Sequence, residues 1–122
     1  MIRCPCGTGL AYHDCCGPYH AGAPAPTAEA LMRSRFSAYA RGDADYIQRT
    51  WHSRSRPKSL ELDDGIRWTL LEVGRTVGGG LLDVEGTVQF AAHYQHAGKR
   101  GVIREDSHFT RESTQWRYTG PA

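Results

Sequence analysis

The sequence predicts an α+β chain in two parts. A short cysteine-rich knuckle spans residues 1–22. A curved antiparallel sheet, packed on the helices that precede it, spans residues 23–122. Three observations carry this reading. All four cysteines lie at positions 4, 6, 15 and 16. Apolar residues recur with helical spacing between positions 28 and 51, and with a period of two from Ile66 onward. Helices followed by strands in hairpin order give an α+β domain rather than an alternating α/β one.

Residues 1–22 are rich in Cys, Gly and His and have no periodic apolar face. Such a segment cannot bury a core of its own. Ala23-Pro24-Ala25-Pro26 is a stiff, extended linker. Thr27 stands at a helix N-cap, and Glu29 in the first turn complements the helix dipole. The run from Ala28 to Arg41 is helical, with Leu31, Arg35 and Ala38 on one stripe and Met32, Phe36 and Tyr39 on the next. Gly42 terminates it. Asp43 caps a second helix in which Tyr46, Ile47, Thr50 and Trp51 share a face. Residues 53–65 are polar, contain Pro57 and Asp64-Gly65, and read as loop.

Ile66–Val77 is a strand rich in β-branched and aromatic residues. Gly78-Gly79-Gly80 is a flexible turn. In Leu82–Gln95, Val84, Gly86, Val88, Phe90, Ala92 and Tyr94 point one way, and Glu85, Thr87, Gln89, Ala91, His93 and Gln95 the other. Val102–Arg111 and Trp116–Thr119 are the third and fourth strands.

The composition is that of a folded domain: 39% hydrophobic and 23% charged residues in 122. No stretch approaches the ~20 apolar residues of a membrane span. The first residues carry no secretory signal, so a cytoplasmic location is expected. The formal net charge is +2, and a zinc ion on four thiolates would bring it to zero.

The cysteines read Cys4-Pro5-Cys6-Gly7-Thr8-Gly9, then Cys15-Cys16-Gly17. Four thiols on a short segment supply a closed tetrahedral site for zinc, Zn2+, and glycines permit the tight turns it needs. Metal binding also supplies the folding energy that the segment lacks. Disulfides are the alternative, but they are rare in a reducing cytosol. His13 or His20 is an alternative to one of the sulfur ligands.

This segment resembles the SEC-C motif, a zinc knuckle also found in the preprotein translocase ATPase. Thr8 replaces the usual Ser. The stretch Ala25–Tyr39, Thr50-Trp51-His52, the Trp68 strand, Glu105-x-Ser107-x-Phe109 and Trp116-x-Tyr118 are similar to the YchJ-like family. That resemblance implies a SEC-C knuckle joined to a domain like nuclear transport factor 2, a cone of curved sheet and helices. Many relatives of this kind carry a second SEC-C motif. It assigns no reaction.

In the third strand Ile103, Glu105, Ser107, Phe109 and Arg111 share one parity. If Ile103 and Phe109 face inward, Glu105 and Ser107 do too. A buried carboxylate needs a partner. Two readings follow. In one, Glu105 forms an internal salt bridge with Arg33 or Arg35 of the first helix. In the other, Glu105 or His52 is a general base in a pocket walled by Tyr39 or Trp51. His52 also reads as a helix-end residue interacting with the helix dipole.

The leading functional expectation is a binding module whose knuckle meets a protein partner, the metal being structural. A ligand pocket or enzyme in the cone is the alternative. A filled cone and an exposed apolar patch beside the knuckle favour the first, and a deep internal cavity reaching Glu105 the second. Arg49, Arg54, Arg56 and Lys58 beside Trp51 form a modest basic patch, a weak signal for nucleic acid. The sheet face carrying Thr87, Gln89 and His93 would suit a homodimer.

Overall fold

A computed structural model describes residues 2–122. The knuckle opens with an antiparallel bridge between Arg3 and Ala11. A single 3-10 turn at Tyr12–Asp14 and a short helix α1 (Gly17–His20) follow. Helix α2 spans Ala28–Arg41 and α3 spans Ala44–Arg49. Both are set by local chemistry. The Thr27 side chain accepts from Ala30 N, and that of Asp43 from Tyr46 N. Gly42 closes α2 in the left-handed region at φ 74°.

Four strands form one antiparallel sheet in the order β1-β2-β3-β4, with β1 Ile66–Gly78, β2 Glu85–His96, β3 Lys99–Glu112 and β4 Gln115–Pro121. Each strand pairs with its sequence neighbour, as hairpin connections dictate. The ladder of β1 breaks register between Trp68 and Leu70, and again between Val73 and Thr76. Such bulges bend a strand and shift its alternation by one residue. Trp68 and Leu71, of opposite parity, therefore both pack toward the core.

The curved sheet wraps α2. Leu31, Met32 and Phe36 of the helix meet Leu71, Val88, Ala92, Phe109 and Trp116 of the sheet. Phe109 and Trp116 are almost wholly shielded from solvent. A second cluster joins Ala38 to Tyr46 and Ile47 of α3.

Three expectations need correction. Strand β2 begins at Glu85 rather than Leu82, and residues 81–84 form a loop. Alternation continues through Leu82 and Val84, but that segment is held by Arg111, which donates to Leu81 O and Asp83 O. The triple-glycine turn is also not merely flexible. Gly78 pairs with Gly86 within the ladder, and Gly79 O accepts from Ala28 N at 2.9 Å. A side chain on Gly79 would meet Ala28 Cβ at 2.7 Å. The second helix also ends two residues before Trp51. Residues 50–52 run beside β4 instead, with Trp51 bridged in parallel to Tyr118.

Candidate metal centre and cavity

Cys4 and Cys6 flank one tight turn, and Cys15 and Cys16 sit where the 3-10 turn meets α1. This brings four Sγ atoms within 4.8 Å of one another. Cys4, Cys6 and Cys16 are buried, and Cys15 is intermediate. All are unbridged thiols, with Cys6 Sγ 3.5 Å from Cys15 Sγ. A zinc tetrahedron with bonds of about 2.3 Å has edges of about 3.8 Å, so the cluster is close to that size. The donor set fits a soft, thiolate-preferring ion.

The protonation chemistry points the same way. Hydrogen bonding from Cys16, helped by the Thr8 backbone, Cys15 and Cys4, pulls the Cys6 thiol down to about 4 against the effect of burial. Cys16 is pushed up by its bond to Cys6, by burial and by the Cys6 charge. Burial, more than any other cause, raises Cys15. Negative charge on Cys6 thus disfavours charge on Cys15 and Cys16. A divalent cation removes that conflict.

Neither histidine joins the cluster. His13 is exposed beside Asp14. Both ring nitrogens of His20 are engaged, Nδ1 with Tyr12 Oη at 2.6 Å and Nε2 with Ser34 O at 2.8 Å.

One face of α2 docks the knuckle. Arg33, Ser37 and Arg41 lie four residues apart and share a stripe. Arg33 Nη1 donates to Cys6 O at 3.0 Å, Ser37 Oγ lies 3.7 Å from Cys4 Sγ, and the Arg41 guanidinium sits 3.9 Å from the Tyr12 ring centroid. Arg33 also pairs with Glu29. Its expected pairing with Glu105 is therefore wrong. It points roughly 200° around the helix from Arg35, toward the metal segment.

The opposite face of α2 lines a cavity of about 260 Å³. Arg35, Tyr39, Trp51, Glu105 and Ser107 all reach it, together with Trp68 and Tyr118. Arg33 and His52 do not. His52 N donates to Tyr118 O at 2.7 Å, and its Nδ1 accepts from Arg54 N. It pairs with the sheet edge rather than with the end of α3.

Glu105 is half-buried and has no arginine partner. Its Oε2 accepts from Tyr118 Oη at 2.7 Å and from Ser107 Oγ. Arg35 is 4% exposed, and its Nη1 donates to Ile47 O and Thr50 Oγ1, both at 2.7 Å. Its guanidinium stacks on Tyr118 at 4.5 Å and on Trp51 at 5.2 Å. Burial lowers Arg35 to about 10, against the pull of Tyr39, Tyr118, Tyr46 and Glu105. Burial, then the bond to Glu105, raises the Tyr118 phenol. The expected salt bridge is replaced by Tyr118, which holds Glu105 by its hydroxyl and Arg35 by its ring. Sequence reasoning missed Tyr118 because it comes from β4; its parity with Trp116 was the available signal.

The cone is not filled, since the cavity reaches Glu105. Ile2 and Leu10, each one residue before a partner of the knuckle bridge, are 72% and 53% exposed. In the basic patch, Arg56 is forked onto Trp51 O, and Arg49 donates to His20 O. Among the described residues no helix is long and apolar enough to cross a membrane.

Comparison with known proteins agrees with this architecture. A family model described as the YchJ middle NTF2-like domain matches residues 27–121, and a SEC-C motif model matches residues 3–18. A UPF0225 protein of Streptomyces coelicolor is 50% identical over 94% of this chain and 90% of its own. One of Corynebacterium efficiens is 50% identical over 97% and 91%. The solution structure of a SEC-C motif containing protein from Rhodopseudomonas palustris superposes with a TM-score of 0.84 at 31% identity, covering 99% and 98% of the two chains. A crystal structure of a SEC-C motif containing protein from Psychrobacter arcticus gives 0.79 at 28% identity, covering 98% and 81%. With a SEC-C motif followed by the family's NTF2-like domain, the chain belongs to the YchJ-like family.

Proposed function

We propose that the chain is a cytoplasmic zinc-binding interaction module. Zinc on Cys4, Cys6, Cys15 and Cys16 has a structural role, and the knuckle so folded presents a surface to a protein partner. The observation that carries this reading is the closed set of four mutually adjacent thiols. Four sulfur ligands complete a tetrahedron and leave no position for a reacting water. When bound, the ion cross-links the two turns of a segment that has almost no core. The chain's own residues do the rest. Arg33 and Ser37 fix the knuckle to α2, and Ile2 and Leu10 are left outward.

The test is metal content of protein purified under reducing conditions. One zinc per chain is expected. Less than about half an equivalent, with the thiols oxidised, overturns the reading. The surface is tested by Ile2→Asp with Leu10→Asp. Zinc content and melting temperature should stay unchanged while partner cross-linking is lost. Unaltered cross-linking would exclude the knuckle as the contact surface.

A further inference from the structure

The cavity between α2 and the sheet is a separate site from the knuckle, and its chemistry is specific. Its body is apolar and largely aromatic. Trp68 packs edge-on to Phe36 at 6.1 Å and tilted against Tyr39 at 5.9 Å between ring centroids. Phe90 and Ile103 complete the wall. One side differs. There Arg35 and Glu105 both face the cavity, and no ion pair joins them.

Each charge retains unused capacity. Glu105 takes both of its protein bonds on Oε2, leaving Oε1 free as an acceptor. Arg35 spends only Nη1 on the protein. Among the described residues Trp51 Nε1, from another lining residue, is the one fully shielded side-chain polar atom without a partner. Nε and Nη2 of Arg35 likewise have no protein acceptor, and Arg35 lines the cavity. Buried charges are ordinarily paired, so a cation and a carboxylate held apart by the Tyr118 ring leave a place for a bridging molecule.

We propose that this cavity binds a small neutral molecule with a flat apolar body and one edge combining an acceptor and a donor, as in a primary amide or lactam. The acceptor takes Arg35, and the donor reaches Glu105 Oε1. An anion would gain Arg35 but face the Glu105 carboxylate. A cation would gain the aromatic faces and Glu105 but face Arg35. A neutral edge satisfies both. The volume lies just below the roughly 300–1,000 Å³ of ligand pockets, which limits the occupant to about one ring system.

Three probes of equal size and different charge test this: benzamide, benzoate and benzylammonium, titrated into the full chain. The readout is the indole N–H signals of Trp51 and Trp68 by nuclear magnetic resonance. Benzamide should give saturable shifts, and each charged probe should bind about tenfold more weakly, a difference of about 1.4 kcal/mol. In Glu105→Gln, with unchanged spectral dispersion elsewhere, the preference should turn to benzoate, because Arg35 then lacks a compensating charge. Ile103→Trp places a ring in the cavity mouth from a residue 44% exposed, so it tests the site without burying new bulk in the core. It should abolish the shifts, and it decides the location even if Glu105→Gln unfolds. Absence of saturable benzamide shifts, tighter binding of benzoate or benzylammonium by the wild type, or unchanged binding by Ile103→Trp would each overturn the proposal.

Discussion

The knuckle and the sheet domain are held by different forces. In the sheet domain Leu31, Val88, Phe109 and Trp116 are each at most 2% exposed, a conventional core closed by α2. In the knuckle the buried side chains are Cys4, Cys6, Cys16 and the small Ala11, while Ile2 and Leu10 are outward. Apolar burial supports the first unit. Sulfur chemistry and polar docking to one stripe of α2 support the second. The same helix serves both, with Arg33, Ser37 and Arg41 turned to the knuckle and Met32, Arg35, Phe36 and Tyr39 turned to the cavity. The two units should therefore fail under different insults.

The largest effect expected is on the knuckle. Structural zinc contributes about 10–16 kcal/mol of apparent binding free energy in small zinc domains. Chelation, or Cys16→Ser, should remove amide-exchange protection from residues 2–22 while leaving it in β2 and β3. Loss of protection in both regions at once would show that the sheet domain also depends on the metal. The same contrast has a pH form. Ligand thiols must lose protons to bind zinc, so affinity should fall as pH drops from 7 to 5. Competition with a zinc-responsive dye would follow it. A pH-independent affinity would exclude thiolate ligation.

Phe109→Ala reverses the insult. Removing a fully buried ring costs about 3–5 kcal/mol. Urea unfolding should show the sheet domain weakened by that amount while zinc remains bound to the four thiols. Release of zinc in step with sheet unfolding would mean that docking, rather than sulfur ligation, dominates the knuckle.

Arg33→Met tests the joint. It deletes the bond to Cys6 O and the pairing with Glu29 at a partly exposed site, a loss of about 1.5 kcal/mol. Faster exchange in the knuckle at unchanged zinc content is expected, measured by amide exchange on the loaded protein. Unchanged exchange would leave Ser37, Arg41 and His20 as the sufficient docking contacts. The smallest effect is Thr27→Ala, which removes the N-cap of α2 for about 1 kcal/mol of stability, read from chemical denaturation. A loss near zero would mean that the Ala28 N bond to Gly79 O fixes the helix start by itself.

What could be read in advance was local. Thr27, Gly42 and Asp43 mark helix ends by their own backbone chemistry, so both helix starts and the end of α2 were legible. The cysteine spacing identified the cluster for the same reason, since its ligands lie within a few residues of two turns. What escaped was set by distant partners. Glu105 lines the cavity beside Ser107, but its partner Tyr118 comes from β4. Arg33 and Arg35 are both cations on one helix, but two residues turn a helix through about 200°, so they face different partners. Alternation persists through Leu82 and Val84 and hides the start of β2, because a ladder also needs a neighbour and the Arg111 contacts hold that segment outside it.

The proposed zinc site has four sulfur ligands and no histidine. Zinc K-edge X-ray absorption of the reduced, metal-loaded chain reads the ligand atoms themselves. A single shell of four sulfur neighbours at about 2.3 Å is expected. A nitrogen neighbour at about 2.0–2.1 Å would contradict it. Such a shell would require His13 to leave solvent, or His20 to abandon Tyr12 and Ser34.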